Sequence, residues 1–274
     1  MCSTHTMSGL DLQSPTLLFW SVFIPSLHLL TLLLFRHLNY FPQSTRKGSR
    51  SSDIIAIEIT STVCVLWFSV IGSIGYLNLF GYTDGRDLYS TDRFYGYSSL
   101  AHTHLITPMF VYQIWNLFSC ILHNEYRDLP SLGHHLVTAG LAYCGFYPFA
   151  HYYSLFYFGI AEVTTVPLNL VNTFKNIPQL IQTYPTLYQA SRTIFAFSFF
   201  LIRLFWWPII SYELFYSCLN LIQSQKAHSL FIVNYFLFSN LFLTSLQFYW
   251  GYLILSNLFN RNKDKEKKEK KKEN

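Results

Sequence analysis

The chain is 274 residues long, 51% hydrophobic, 19% aromatic and only 12% charged, against about a quarter charged in an ordinary soluble domain. Twelve of the charged residues crowd into the last fourteen positions, which leaves the first 260 about 8% charged; this excludes a soluble enzyme, a disordered chain and a disulfide-rich secreted module, and leaves an all-α polytopic membrane protein. The net charge of +5 lies nearly all in that Lys-rich end, which reads as a solvated tail near anionic headgroups and points to no nucleic acid.

About 20 mostly apolar residues are needed to cross ~30 Å of hydrocarbon at ~1.5 Å per residue, and seven stretches of that order follow one another. They are Leu17 to Phe35, Ile54 to Phe80, Ser98 to Leu122, Leu132 to Pro148, Phe149 to Val171, Thr193 to Cys218 and Leu230 to Phe259. The first lacks the basic leader and small-residue exit of a signal peptide and reads as a retained span. The short fourth meets the fifth at Phe146-Tyr147-Pro148-Phe149-Ala150-His151, where Pro148 favours a turn, so the two read as an interfacial hairpin. Lys and Arg gather in alternate loops: Arg36, Arg46, Lys47 and Arg50 after span one, Arg127 after three, Lys175 and Arg192 after five, and the tail after seven. This alternation predicts a lumenal or external N-terminus and a cytosolic C-terminus. Cys2, Cys64, Cys120, Cys144 and Cys218 are scattered without a Cys-x-x-Cys pair, so neither a metal site nor a disulfide framework is expected.

Ionisable and polar groups inside such spans are functional candidates, because each costs several kcal/mol in hydrocarbon unless paired or hydrated. In span four, His134 and His135 are followed one turn on by Thr138, at about 10 Å from the cytosolic side. In span five, Glu162, Thr165, Asn169 and Asn172 fall within an arc of about 80° at helical spacing. Pro167 interrupts that stripe and is expected to kink the helix and free the Val163 carbonyl. Arg203 of span six reaches a depth similar to Glu162, which predicts an ion pair. In span seven, Asn240, Thr244, Gln247 and Gly251 share a face, read chiefly as interhelical packing. His102 and His104 lie near the lumenal end of span three, and Glu58 comes near the depth of the His pair and is a candidate to orient one of its rings.

These residues carry a resemblance. Asp-Leu-Pro-Ser-Leu-Gly-His-His-Leu-Val-Thr at Asp128 to Thr138 resembles the acidic, double-His stretch of the TLC domain, shared by ceramide synthases, the translocating-chain-associating protein and TLC-domain-containing proteins. The stretch from Glu162 to Asn172 is similar to the Glu-x-Ser-Thr-x-Phe-x-Asn segment of the TLC-domain-containing subfamilies. Phe199-Phe200-Leu201-Ile202-Arg203 and the aromatic run from Phe248 resemble the segments that follow. The resemblance divides the chain into an N-terminal segment with the first span (1–47), a TLC domain (48–260) and a basic tail (261–274). It implies about seven transmembrane helices in a bundle or barrel around a lipid-sized cavity, and a role in endomembrane lipid homeostasis. Ceramide synthases add a His-Asp pair on the span after the double His; this chain has Glu162 there instead, and is closer to the TLC-domain-containing subfamilies. The final Lys271-Lys272-Glu273-Asn274 resembles the dilysine signal read by retrieval-coat machinery, which implies endoplasmic-reticulum residence.

Two functions remain. In the first, membrane lipids, sphingolipids among them, are bound or regulated, with Asn169, Arg203 and Gln247 gripping a headgroup. The second is an acyltransferase of ceramide synthase type, with acyl-CoA as co-substrate, in which His135 is base or nucleophile and His134, Thr138 and Glu162 complete the site. No resident cofactor is expected in either, and a homo-oligomer fits both. A rhodopsin-type receptor is disfavoured because Asp92-Arg93-Phe94 falls in a lumenal loop, and an elongase because Ser131 stands where His-x-x-His-His needs its first His.

Overall fold

The computed structural model describes residues 14–38, 48–81 and 92–273, and every regular element among them is helical. Among the described residues, six helical segments are long and apolar enough to cross a membrane: Pro15–Leu38, Ser51–Asn78, Arg93–Leu122, His151–Asn176, Pro185–Gln223 and Leu230–Asn257. The chain is therefore an all-α, multi-pass membrane protein.

The first two spans are the continuous helices α1 (Pro15–Leu38) and α2 (Ser51–Gly81). Short helices α3 (Asp92–Tyr95) and α4 (Ser99–Ala101) lead through a π-helical turn, His102–Ile106, into α5 (Thr107–Leu122). The fourth expected span is α6 (Leu129–Cys144), three residues earlier at its start than the apolar run suggested. Asp128 is the reason: its carboxylate accepts from Ser131 N at 2.9 Å and from the Ser131 hydroxyl at 2.8 Å, and Pro130 fits the first turn, where its missing N–H has no partner to lose. At 16 residues, about 24 Å long, α6 is too short to rank with the six spans by length. It nevertheless runs from one end of the protein to the other.

Contacts define those two ends. Arg36 pairs with Asp53 at 3.1 Å, and Ser49 bonds Glu125, so the end of α1, the start of α2 and the α5–α6 turn gather together. At the far end, the turn after α6 is tied to the entry of the third span: His151 accepts from Ser98 N at 3.1 Å through Nδ1 and lies 2.8 Å from Gly145 O through Nε2. The turn forms at Phe146 to Ala150 as expected. Ala150 takes a left-handed conformation (φ 58°), and its N–H donates to Phe94 O at 2.6 Å.

The fifth span is not one regular helix. It consists of α7 (His151–Ser154), a π-helical turn Leu155–Gly159, a 3-10 segment Ile160–Thr164 and α8 (Thr165–Asn176). Pro167 sits in the first turn of α8, where an N–H has no intrahelical partner anyway, so the expected proline kink is replaced by an irregularity that ends before it. Glycine makes that irregularity packable: Gly159 and Gly72 of α2 meet backbone to backbone, with no room for a Cβ on either. After α9 (Pro178–Thr183) the sixth span comprises α10 (Pro185–Ser198), a π-helical segment Phe199–Trp206 and α11 (Trp207–Gln223), and the seventh is α12 (Leu230–Glu273). The side chains of Lys271 and Lys272, and the loop residues Arg46 and Lys47, lie outside the described residues.

The packing order closes into a ring. α2 packs on α8, α8 on α10, the π segment and α11 on α12, α12 on α6, α6 on α5, and α5 back on α2, while α1 lies outside across the α2–α5 seam. The barrel alternative of the expected bundle or barrel is thus the one adopted, built from six traverses with the first span as a buttress. On α1, Leu18, Phe19, Val22, Leu30 and Leu33 are exposed, as suits a helix that faces lipid along most of its length.

Candidate functional site

The ring encloses two adjacent spaces that share part of their walls. A polar chamber of about 690 Å³ opens toward the end where Glu125, Asp128 and Lys175 gather, and a narrow apolar slot of about 50 Å³ continues toward the far end. His134, Glu162 and Arg203 line both and so mark the junction.

The electrostatic centre of the junction is Arg203. The pairing expected from matched depth is present: Arg203 Nη2 lies 3.7 Å from Glu162 Oε1, with both residues buried. The irregular fifth span supplies further acceptors. Where the 3-10 segment gives way to α8, the Ala161 carbonyl accepts from Arg203 Nη2 at 2.9 Å, and the hydroxyls of Thr164 and Thr165 accept from Nε at 2.7 Å and Nη2 at 3.3 Å. Gln247 Oε1 accepts from Nη1 at 3.3 Å. A guanidinium desolvated in a membrane protein needs its donors filled, and here each nitrogen has an acceptor. Gln247, expected to grip a headgroup, lines neither cavity and stands behind Arg203 as one of its supports. Asn169 does line the chamber, and its amide lies 2.9 Å from the Ser61 hydroxyl and 3.1 Å from that of Thr62, which fastens α8 to α2.

The two histidines differ. The His135 ring lines the chamber, with Nδ1 2.7 Å from Gln113 Oε1. An amide oxygen only accepts, so Nδ1 carries the proton and Nε2 keeps its lone pair. Glu58, the candidate orienter from sequence, is occupied elsewhere: it accepts from the Tyr126 hydroxyl at 2.6 Å. Gln113 takes that role instead. Its signal was a polar stripe in span three, Gln113, Asn116 and Ser119, all buried on α5. The His134 ring leans on His135 and Trp250, with centroids 5.2 and 5.6 Å apart. His134 Nδ1 is buried without a hydrogen-bond partner, an exception to the rule that buried polar groups are paired. Thr138 lines the slot, but its hydroxyl is spent on the His134 carbonyl at 2.7 Å.

The span-seven stripe is mainly a fastening. Asn240 Nδ2 donates to Ser211 O at 2.8 Å, Trp207 Nε1 donates to the Thr244 hydroxyl at 3.0 Å, and Gly251 accommodates the Leu204 side chain. His102 rests 6.0 Å from the His151 ring, and the His104 carbonyl accepts from Trp67 Nε1 at 2.9 Å, both away from the double His. Among the described residues, no three His, Cys, Asp or Glu side chains form a group that could hold a metal.

A search of curated proteins finds no match. A family model described as the TLC domain matches residues 58–256. This region contains the double His, the Glu162–Arg203 pair and most of the walls of both cavities, and covers well over half of the chain. The chain therefore belongs to the TLC-domain family.

Proposed function

We propose that this protein takes one membrane lipid into its barrel, with the headgroup in the polar chamber and a chain in the apolar slot, and so acts in endomembrane lipid homeostasis. TLC-domain membership supports a lipid-related role in general. The carrying observation is the order of polarity along the cavity: polar chamber, charged junction, apolar slot, the same order as along an amphiphile. The chamber volume of about 690 Å³ falls in the range of ordinary small-molecule sites, roughly 300–1,000 Å³. Sphingolipids are the class that the family resemblance implies. Residence in the endoplasmic reticulum with a cytosolic, coat-binding tail belongs to the same proposal. Lys271→Ser with Lys272→Ser should release the protein to later compartments, and unchanged residence would remove that part.

The test is to purify the full chain in mild detergent and identify retained lipids by mass spectrometry. Wild type should retain a defined lipid class and Arg203→Met should lose it. Bulk membrane composition in both samples would overturn the reading.

A second reading, acyl transfer from acyl-CoA, is favoured by one observation: His135 has its Nδ1 proton fixed by Gln113 and its Nε2 lone pair free in the chamber. Nε2 would take the proton of an acceptor amine or hydroxyl as that group attacks the thioester carbonyl, and the CoA sulfur would leave with a proton. Purified protein supplied with long-chain acyl-CoA and a sphingoid base should then release free thiol. His135→Ala and His135→Gln should both abolish release, whereas under lipid binding alone the Gln variant keeps most function and wild type releases none.

A further inference from the structure

The far end of the slot is backed by a residue outside the family-like motifs. The slot runs from the His134–Glu162–Arg203 junction to Phe149, Ala150 and Phe236. Along α6 this is the distance from His134 to Gly145, about 16 Å. Immediately behind those last residues sits α3. Phe94 is fully buried, with its ring 5.2 Å from that of Phe236 and 6.2 Å from that of Phe149, and its carbonyl receives the Ala150 N–H. On its other side, Tyr95 stacks on the exposed His228 ring at 4.1 Å and accepts from the His228 N–H at 3.0 Å. Phe94 thus backs Phe149 and Phe236, the residues that end the slot, and Tyr95 also meets the Phe149 ring at 5.8 Å.

This backing is pinned from one side. Arg93 pairs with Glu213 at 3.0 Å and lies over the Tyr152 ring at 4.8 Å. Glu213 precedes Leu214, which lines the slot. The segment that carries Phe94 is therefore fixed to α11 and α7, the helices whose neighbouring residues form the slot wall.

We propose that Phe94, as the backing of the floor that Phe149 and Phe236 form, sets the length of the lipid chain that the protein accepts. The proposal rests on the reading of the slot as a chain site. A chain end that enters from the junction meets Phe149 and Phe236 with the Phe94 ring wedged behind them. Truncation of that ring gives Phe149 and Phe236 room to retract and so lengthens the slot, and each further methylene buried there raises affinity about fourfold. Shorter chains never reach the floor, so their affinity stays unchanged.

The experiment uses the full chain in detergent and a homologous series of saturated fatty acids, each competing against a fluorescent fatty acid. Wild type should show an optimum length beyond which affinity falls. Phe94→Ala should move the optimum to longer chains, and Phe94→Leu should move it partway; if the Ala variant does not fold, the Leu variant carries the comparison. An optimum that stays in place in the folded variants overturns the floor assignment while leaving the slot as a chain site. If wild type binds no chain of any length, the lipid-site reading itself fails and the floor with it.

Discussion

Arg203 and Glu162 are unequal partners. Glu162 has Arg203 as its countercharge at 3.7 Å, whereas Arg203 also donates to the Ala161 carbonyl, the Thr164 and Thr165 hydroxyls and Gln247. The two charges therefore depend on each other to different degrees. Arg203→Met strands a buried carboxylate and should cost about 3 to 5 kcal/mol. Glu162→Gln leaves the guanidinium four neutral acceptors and should cost clearly less. Thermal unfolding of both single variants and the double variant in detergent checks this, and the double should lose less than the sum. Equal single losses that add would show that the pair is not coupled.

The contact of Gly72 with Gly159 sets a steric prediction. A Cβ on either residue would run into the backbone of the other, and backbone gives way less readily than a side chain. Gly72→Ala and Gly159→Ala should each cost more than the ~1–3 kcal/mol typical of overpacking. The yield of monodisperse protein and its unfolding temperature measure the effect. Gly133→Ala, where a Cβ meets the far end of the Phe242 ring at 3.2 Å, should be milder.

Asp128 starts the helix that carries the double His. Asp128→Ala removes both bonds to Ser131 and should cost about 0.5–2 kcal/mol, typically ~1. Asp128→Asn keeps the capping oxygen and should stay near wild type. If the acid served as a charge in the chamber instead, Asn and Ala would be equally impaired in lipid retention while differing in stability.

The ends of α6 give a topology prediction. With the native cysteines replaced, Arg127→Cys in the α5–α6 turn and Lys226→Cys in the α11–α12 turn should react with a membrane-impermeant maleimide from opposite sides. Both positions are exposed. Labelling from one side only would show that α6 does not complete a traverse.

Spans, loop order and the Glu162–Arg203 pairing were legible in the sequence because they follow from one-dimensional quantities: apolar length, and residue count from a polar loop. Asp128 was legible as part of a motif, though its capping role emerged only with the start of α6. Three features needed the tertiary structure. Pro167 lost its expected kink because the π and 3-10 turns before it take up the irregularity, and those turns depend on Gly159 meeting Gly72 across two spans. Gln113 displaced Glu58 beside His135 because residues at matched depth still differ in azimuth, and packing of α5 on α6 decides which of them the ring meets. Phe94 was one aromatic among 26 phenylalanines; it comes to back the floor of the slot only where α3 meets the α6–α7 turn and α12. Depth follows from counting along the chain, whereas the azimuth of a helix and the closure of a ring are fixed by contacts between segments distant in sequence.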